Sequence, residues 1–467
     1  MRRLSHASLL LILAVSVLAH DHDPEPVAVL DPEAHKPSGL PDRIILTFKG
    51  DPATSQAVTW RTDTTVAPGY ALAEIAKADD GPLFKPTAKS LKADTTPLKS
   101  DLGEAHYHSV IFEDLEPATK YLYRVGDGVN WSEWIQFRTA SNKPEPFSFI
   151  YFGDAQNDIK EHWSRVIRQS YSDAPKARFM IHAGDLINNA NRDAQWGEWH
   201  RAGGWLNAMV PSIPTPGNHE YEKATPTDAK AGVSRHWKPQ FTLPDHGPAG
   251  LEETCYYVDY QGARIVSLNS NEMLEEQATW VDALLAKNPN KWTVLTFHHP
   301  VYSSAEGRDN KTVRDTWQPI FDKHKVDLVL QGHDHTYARS GLRVWDNVAT
   351  GASVQDGKTG TVYVVSVSGP KMYNLDREPW MQRAAEDTQL YQIIHIDNDT
   401  LRYEARTATG NLYDAFDLNK RVDQPNELVA KTPKTAERLR PEGARLKARQ
   451  KKAQPKPKAA TVGAGLR

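Results

Sequence analysis

Along the first third of the chain, apolar positions alternate with polar ones in short runs: Arg43–Phe48, Ala57–Trp60, Tyr107–Phe112, Tyr121–Val125 and Trp134–Phe137. Clusters of Gly, Pro, Asp and Asn separate them. A period of two at this spacing predicts the half-buried strands of a β-sandwich over residues 38–140, with Trp60 between its sheets. No catalytic side-chain types are grouped there, so the segment reads as a docking or spacing module.

After the stiff linker Ser141–Pro146 the pattern changes. Almost continuously apolar runs alternate with amphipathic ones, as an α/β domain requires. Strands are predicted at Phe147–Phe152, Arg178–His182, Arg264–Leu268, Thr293–Phe297, Val326–Gln331, Val362–Val367 and Tyr391–Ile396. Helices are predicted at Asp158–Ser170, Asp193–Ala208, Glu275–Ala286 and Val313–His324. Trp163, Val166, Ile167 and Ser170 share one face of the first helix and form a core stripe. This domain is expected to span residues 147–418.

Composition narrows the picture. A chain of 467 residues suggests two or three domains, and a net charge of −3 excludes a global polyanion or polycation binder. No specific nucleic-acid partner is expected. A single cysteine, Cys255, rules out an intramolecular disulfide and a CxxC zinc site; it reads as a buried small hydrophobe. With 18 histidines, any metal is expected on His, Asp and Asn. Arg2 and Arg3, the apolar Leu9–Leu18 and the small residues before His20 read as a signal peptide over residues 1–19, which predicts a secreted or periplasmic protein. No later run is long and apolar enough for a membrane span. Residues 20–37 read as a flexible leader. From Lys420 onward there are 14 basic and 4 acidic residues. Residues 419–467 are therefore expected to form a disordered basic tail suited to anionic surfaces, with a short helix possible at Thr435–Leu439.

Five segments carry the candidate chemistry: Gly153-Asp154, Gly184-Asp185-Leu186, Gly217-Asn218-His219-Glu220, His298-His299-Pro300 and Gly332-His333-Asp334-His335. Four directly follow predicted strands, and the third follows the weaker Ser212-Ile213-Pro214. Asp154 and Asp185 are 31 residues apart, Asp185 and Asn218 33, and His298 and His333 35. Each interval is about one strand–helix–strand unit. Parallel strands deliver their C-terminal ends to one sheet edge, so these groups should converge. Taken singly, Asp154 and Asp185 are ordinary strand-end carboxylates, Asn218-His219 a turn, and His333 and His335 core histidines. Taken together, carboxylate, amide oxygen and imidazole suit Fe, Zn or Mn. The set is too large for one tetrahedral site, and Asp185 is the central choice for a bridging carboxylate. Two ions roughly 3.5–4 Å apart can clamp an in-line phosphoryl displacement and acidify a shared attacking water. His219 is placed to protonate the leaving alkoxide or to stabilise transition-state charge. His299 is not expected to be a ligand, and lining the substrate cleft is its functional alternative; Arg339, Tyr302 and Tyr337 are weak candidates for substrate contact. His162, His182, His200, His236 and His324 read as structural or surface residues.

In this order the five motifs resemble those of the calcineurin-like metallophosphoesterases. Gly332–Ser340 and the front sandwich resemble the purple acid phosphatase branch, and Leu115–Tyr123 resembles the tyrosine corner of fibronectin-type-III domains. The resemblance implies a catalytic domain of two packed mixed β-sheets flanked by helices, behind a fibronectin-type-III-like sandwich. It implies Asp154 and His335 on a first metal, Asp185 bridging, Asn218, His298 and His333 on a second, and His219 as catalytic acid. The implied reaction is hydrolysis of small phosphate monoesters. A phosphodiesterase of the same fold is the runner-up, and a non-catalytic surface-binding protein is the reading from another class. Two positions depart from the family. The tyrosine that purple acid phosphatases place three residues after the bridging aspartate is Asn188 here. The histidine that other metallophosphoesterases place two residues after the first aspartate is Gln156. No tyrosinate-to-iron colour is expected, and the missing ligand is replaced by Gln156, Asn188 or water.

Overall fold

The computed structural model describes residues 28–222, 232–345, 348–349, 359–441 and 444. Its catalytic part is built on two sets of parallel strands. In the first, Phe147–Phe152 pairs with Met180–Ala183, which pairs with Ser212–Thr215. In the second, Ala263–Ser267, Trp292–Phe297, Leu328–Gln331 and Thr361–Val365 run side by side. These runs are buried at nearly every position because both faces of each sheet are covered. Phe149, Ile181, Ile265, Val294 and Leu330 meet in one core between the sheets.

Antiparallel strands extend both sets. Leu390–Asp397 pairs with Phe147–Phe152, and Thr400–Thr407, Leu412–Arg421 and Gln424–Ala430 follow in order. At the opposite edge Thr47 pairs in parallel with Ser212, so the strands Asp42–Thr47, Gln56–Thr62, Glu104–Phe112 and Asp94–Lys99 continue the same sheet. These four strands are one half of the front sandwich. The other half is a four-stranded sheet ordered Lys89–Lys92, Leu72–Lys77, Lys120–Gly126 and Ile135–Arg138. Trp60 is fully buried between them with Phe112, Tyr123 and Phe137. The Glu116 N–H donates to the Tyr121 hydroxyl at 2.8 Å and ties the preceding loop to the sheet.

The sandwich is also held to the catalytic part by charge. Arg43 grips Asp193 with two hydrogen bonds of 2.7 and 2.8 Å, and Arg61 approaches the same carboxylate at 3.4 Å. Asp193 opens the helix Asp193–Gly203, where an acidic first turn also complements the helix dipole.

Several boundaries differ from the sequence expectation. The helix expected at Asp193–Ala208 is two helices, broken at Gly204, whose φ of 52° favours glycine. The helix expected from Asp158 begins with a π-turn, Ile159–Trp163, before Ser164–Asp173. The expected flexible leader is structured from Asp31: Arg201 donates to the Ala34 carbonyl at 3.0 Å and Arg61 to the His35 carbonyl at 3.1 Å. The expected tail is part of the domain as far as Pro441. Arg440 pairs with Glu386 at 3.0 Å and with Asp387, and its guanidinium is buried. Arg438 bridges Ala385 rather than joining a helix. Counting charge along the chain finds an excess of cations but not their tertiary partners. The proposed signal peptide and, apart from Ala444, the rest of the tail lie outside the described residues. Among the described residues no helix is long and apolar enough to cross a membrane.

Candidate metal centre

All five motifs meet at the C-terminal edge of the two parallel sets. The turns that carry them are tight. A Cβ on Gly332 would stand 2.2 Å from Asp154 Oδ1, and one on Gly217 2.3 Å from Asp185 Oδ1, so glycine alone lets these loops pass the carboxylates. Asp185, His333 and His335 all have left-handed backbones, with φ of 53°, 75° and 46°. Such strain in non-glycine residues persists only where the surroundings over-determine it.

Each carboxylate divides its oxygens between two tasks. Asp154 Oδ1 accepts the His333 N–H at 2.6 Å, and Asp185 Oδ1 accepts the His219 N–H at 2.9 Å. Both Oδ2 atoms are left facing the cluster. His335 donates from Nδ1 to the Lys371 carbonyl at 2.8 Å, which leaves the Nε2 lone pair 2.9 Å from Asp154 Oδ2. His298 donates from Nδ1 to the Ala183 carbonyl at 2.9 Å. Its Nε2 then lies 3.2 Å from Asp185 Oδ2, 3.1 Å from Asn218 Oδ1 and 3.1 Å from His333 Nδ1.

Lone pairs that face one another at these distances repel unless a cation lies among them. One proton cannot serve three acceptors. Ligand atoms on one ion, with bonds of about 2.0–2.2 Å, stand roughly 3 Å apart in octahedral and about 3.4 Å apart in tetrahedral geometry. The observed spacings match. Two donor groups are closed on themselves: Asp185, His298 and His333, and Asp154, Asp185 and His335, each with its ligand atoms within 4.8 Å of one another. Asp185 belongs to both, so the residues present fit a pair of ions sharing one carboxylate.

The electrostatics agree. Burial alone would lower the His298 pKa, but Asp185 and Asp154 outweigh it and carry it up to about 9. The Asp154 carboxyl, which burial would raise, is instead held low by His335 and His298. Burial, then the His298 and His299 rings, keep His333 neutral. The cluster thus concentrates negative charge and seeks positive charge.

Around it stand residues with supporting geometry. His219 donates from Nδ1 to the Asn188 carbonyl at 2.6 Å, and its Nε2 lies 3.9 Å from Asp185 Oδ2, partly open to solvent. His299 sits 4.4 Å from the His333 ring and bonds Ser270 Oγ at 2.8 Å. Sequence reasoning assigned no role to Glu220 or Arg308. Glu220 is fully buried and its carboxylate accepts four backbone N–H groups, from Asp185, Leu186, Ile187 and Gly217, at 2.7–3.3 Å. Its place directly after Asn218-His219 was the available signal. Arg308 donates to the His333 carbonyl at 3.2 Å and lies 4.6 Å above the Tyr373 ring, which itself packs on His335.

Three weak candidates for substrate contact are turned into the protein interior. Tyr337 and Arg339 both turn inward to Asp414, at 2.7 and 2.6 Å, in a buried network. Tyr302 is buried against Tyr363 and Trp380 and accepts from Gln318. His182, His200, His236 and His324 are structural as expected: His182 is caged by Phe152, Trp163 and Trp199, and the others pair with Gln240, Asp193 and Asp282. Cys255 is fully buried in the second apolar core.

Comparison with known proteins agrees with this geometry. Residues 147–337 match the model of the calcineurin-like phosphoesterases. Over these residues the chain is similar to that family of metal-dependent hydrolases of phosphoric esters. Residues 41–139 match the purple acid phosphatase N-terminal domain, so the order of the two matches is that of a front domain followed by a phosphoesterase domain. The chain is 26% identical over 337 residues to human acid phosphatase type 7, covering 65% of this chain and 71% of that protein. It is 25% identical over 328 residues to purple acid phosphatase 5 of Arabidopsis thaliana, covering 67% and 77%. In fold it is similar to the purple acid phosphatase PPD1 of yellow lupin, with a TM-score of 0.69 at 18% identity over 82% of this chain and 75% of that one. It is also similar to PhoD, with a TM-score of 0.62 at 14% identity over 85% and 94%.

Proposed function

We propose that this chain is an exported phosphatase that hydrolyses phosphate monoesters with His219 as general acid. Asp154, Asp185 and His335 would hold one metal ion, and Asp185, Asn218, His298 and His333 the other. The observation that carries the reading is Asp185, whose carboxylate is common to both donor groups. When bound, the two ions neutralise phosphate charge and supply a nucleophilic water near neutral pH.

The remaining steps belong to the chain's own side chains. Arg308, bonded to the His333 carbonyl and stacked on Tyr373, is the nearby guanidinium that would donate to phosphate oxygens. The His219 ring is oriented by the Asn188 carbonyl, so Nε2 is the atom that hands its proton to the departing oxygen. Glu220 holds the loops of Asp185 and Gly217 at fixed separation, which keeps the proton donor and the metal ligands in register. Export rests on the character of residues 1–19, and the preference for monoesters rests on the purple acid phosphatase-like relatives.

The test is metal content of the purified protein together with turnover of matched aryl phosphate mono- and diesters. Two ions per chain and faster monoester turnover support the proposal. Faster diester turnover replaces it with the phosphodiesterase reading. Absence of bound metal, with no hydrolysis after addition of Fe, Mn or Zn, overturns both.

A further inference from the structure

The loop after Asp154 is sewn onto the loop of Asp185. The N–H groups of Ala155 and Gln156 both donate to the Asp185 carbonyl at 3.1 Å. Asn157 and Asp158 then follow with left-handed φ values of 69° and 46° and turn the chain away. Between these fixed points the side chain of Gln156 is fully buried and aimed inward. Its amide nitrogen lies 2.8 Å from Asp185 Oδ2 and 3.0 Å from His335 Nε2. Those two atoms are themselves in the Asp154–Asp185–His335 donor group.

The other end of the amide is equally informative. Gln156 Oε1 is buried and has no hydrogen-bond partner. A buried unsatisfied acceptor costs about 1–3 kcal/mol. Nitrogen and oxygen of a carboxamide exchange by a half-turn about the last side-chain bond, with almost no change of volume. After that turn the oxygen stands roughly 3 Å from both donor atoms, the spacing of neighbouring ligands on one ion. Asn188 meets the cluster through its backbone, whose carbonyl accepts from His219, and the residue is half-exposed beside a cleft that also borders Asn189, Arg192 and Gln195.

We propose that Gln156, through its carboxamide oxygen, is a protein ligand of the first metal, and that this site takes a divalent ion. The inference rests on the dinuclear reading above. Its donor set is one carboxylate of its own, one shared carboxylate, one imidazole and one neutral amide. No phenolate contributes, so little anionic charge is available to hold a trivalent ion, and the pair is divalent–divalent.

The test uses the full chain, stripped with a chelator and reloaded with Mn(II) or Co(II). Stoichiometry and affinity are read by calorimetry, and coordination by Co(II) absorption. The wild type is expected to bind two ions, and aerobic loading with iron is expected to give no phenolate charge-transfer colour. Gln156→Leu is expected to keep one ion and bind the other at least about tenfold more weakly. Gln156→Glu preserves an oxygen but removes the N–H donor, and is expected to bind the first ion at least as tightly as wild type. If Gln156→Glu loosens to the level of Gln156→Leu, the amide acts as a donor to Asp185 and the inference fails. Two equally tight ions in a folded Gln156→Leu protein also overturn it. Fewer than two ions in the wild type would instead sink the dinuclear reading itself. Thermal melts of the metal-free proteins separate lost binding from lost folding, with the near-isosteric Gln156→Glu as the folded reference.

Discussion

Glu220 Oε2 accepts the backbone N–H of Asp185 at 2.8 Å, and through it a carboxylate outside the ligand set fixes the residue shared by both donor groups. Burial and the nearby Asp185 charge raise the Glu220 pKa, against the pull of its backbone donors. Glu220→Gln replaces one acceptor with an NH2 group pointed at N–H donors. It is expected to lose about 1–3 kcal/mol of stability and to weaken metal retention, measured by denaturation and by metal content after gel filtration. Wild-type values for both would mean the loops of Asp185 and Gly217 hold themselves.

His219 separates binding from proton transfer. His219→Ala is expected to keep both ions and to lose about 10²–10⁴ in kcat, chiefly on alkyl phosphates with poor leaving groups. Nitrophenyl esters, whose leaving groups need little proton assistance, should lose far less. An equal loss on both substrate types would contradict a general-acid role.

Arg308 is expected to act on binding. Arg308→Ala should raise KM for phosphate esters about tenfold and weaken inhibition by inorganic phosphate in parallel, with Arg308→Lys recovering part of both. Unchanged KM and phosphate inhibition would place the guanidinium outside the substrate path.

Asp193 joins the front sandwich to the catalytic part. It balances Arg43 and Arg61, with His236 3.4 Å away. Asp193→Ala would leave two buried guanidinium groups with less anionic charge beside them. The expected cost is about 3–5 kcal/mol, read from denaturant midpoints. A cost under about 1 kcal/mol would show that water reaches the arginines.

His182 sets an acid limit on stability. Neither ring nitrogen has a hydrogen-bond partner, and burial lowers its pKa to about 3. Between pH 6.5 and 3 the unfolded chain takes up a proton that the native ring refuses, so stability falls as pH falls through that window. The contribution at pH 5 is on the order of 2 kcal/mol relative to pH 7. His182→Leu is expected to flatten the slope of unfolding free energy between pH 5 and 7. An unchanged slope would assign the acid sensitivity to other groups.

Most of the ligand set was legible because parallel strands impose a common edge, and four of the five motifs sit at the end of a clearly apolar run, the exception being the one after Ser212-Ile213-Pro214. Glu220 was visible in the same motif, but a carboxylate that binds backbone amides has no separate sequence signature. Arg308, Lys371 and Tyr373 lie in loops, which periodicity does not position. Tyr337 and Arg339 misled because they trail the last ligand motif. They open a new strand, Tyr337–Val344, and as residues two apart they share the face turned to Asp414. The edge strands beyond Asp397 were missed because their polar positions balance their apolar ones. The ion pairs of Arg440 depend on partners more than 50 residues away.

The parallel pairing of Thr47 with Ser212 has a practical corollary. Cutting the chain at the linker would not release an independent enzyme. It would strip the Thr47 partner from Ser212, the first residue of the strand that leads towards Asn218 and His219, and uncover that edge of the sheet. Such a fragment should self-associate through that raw edge, and the front module is better regarded as the margin of the catalytic sheet than as a detachable accessory.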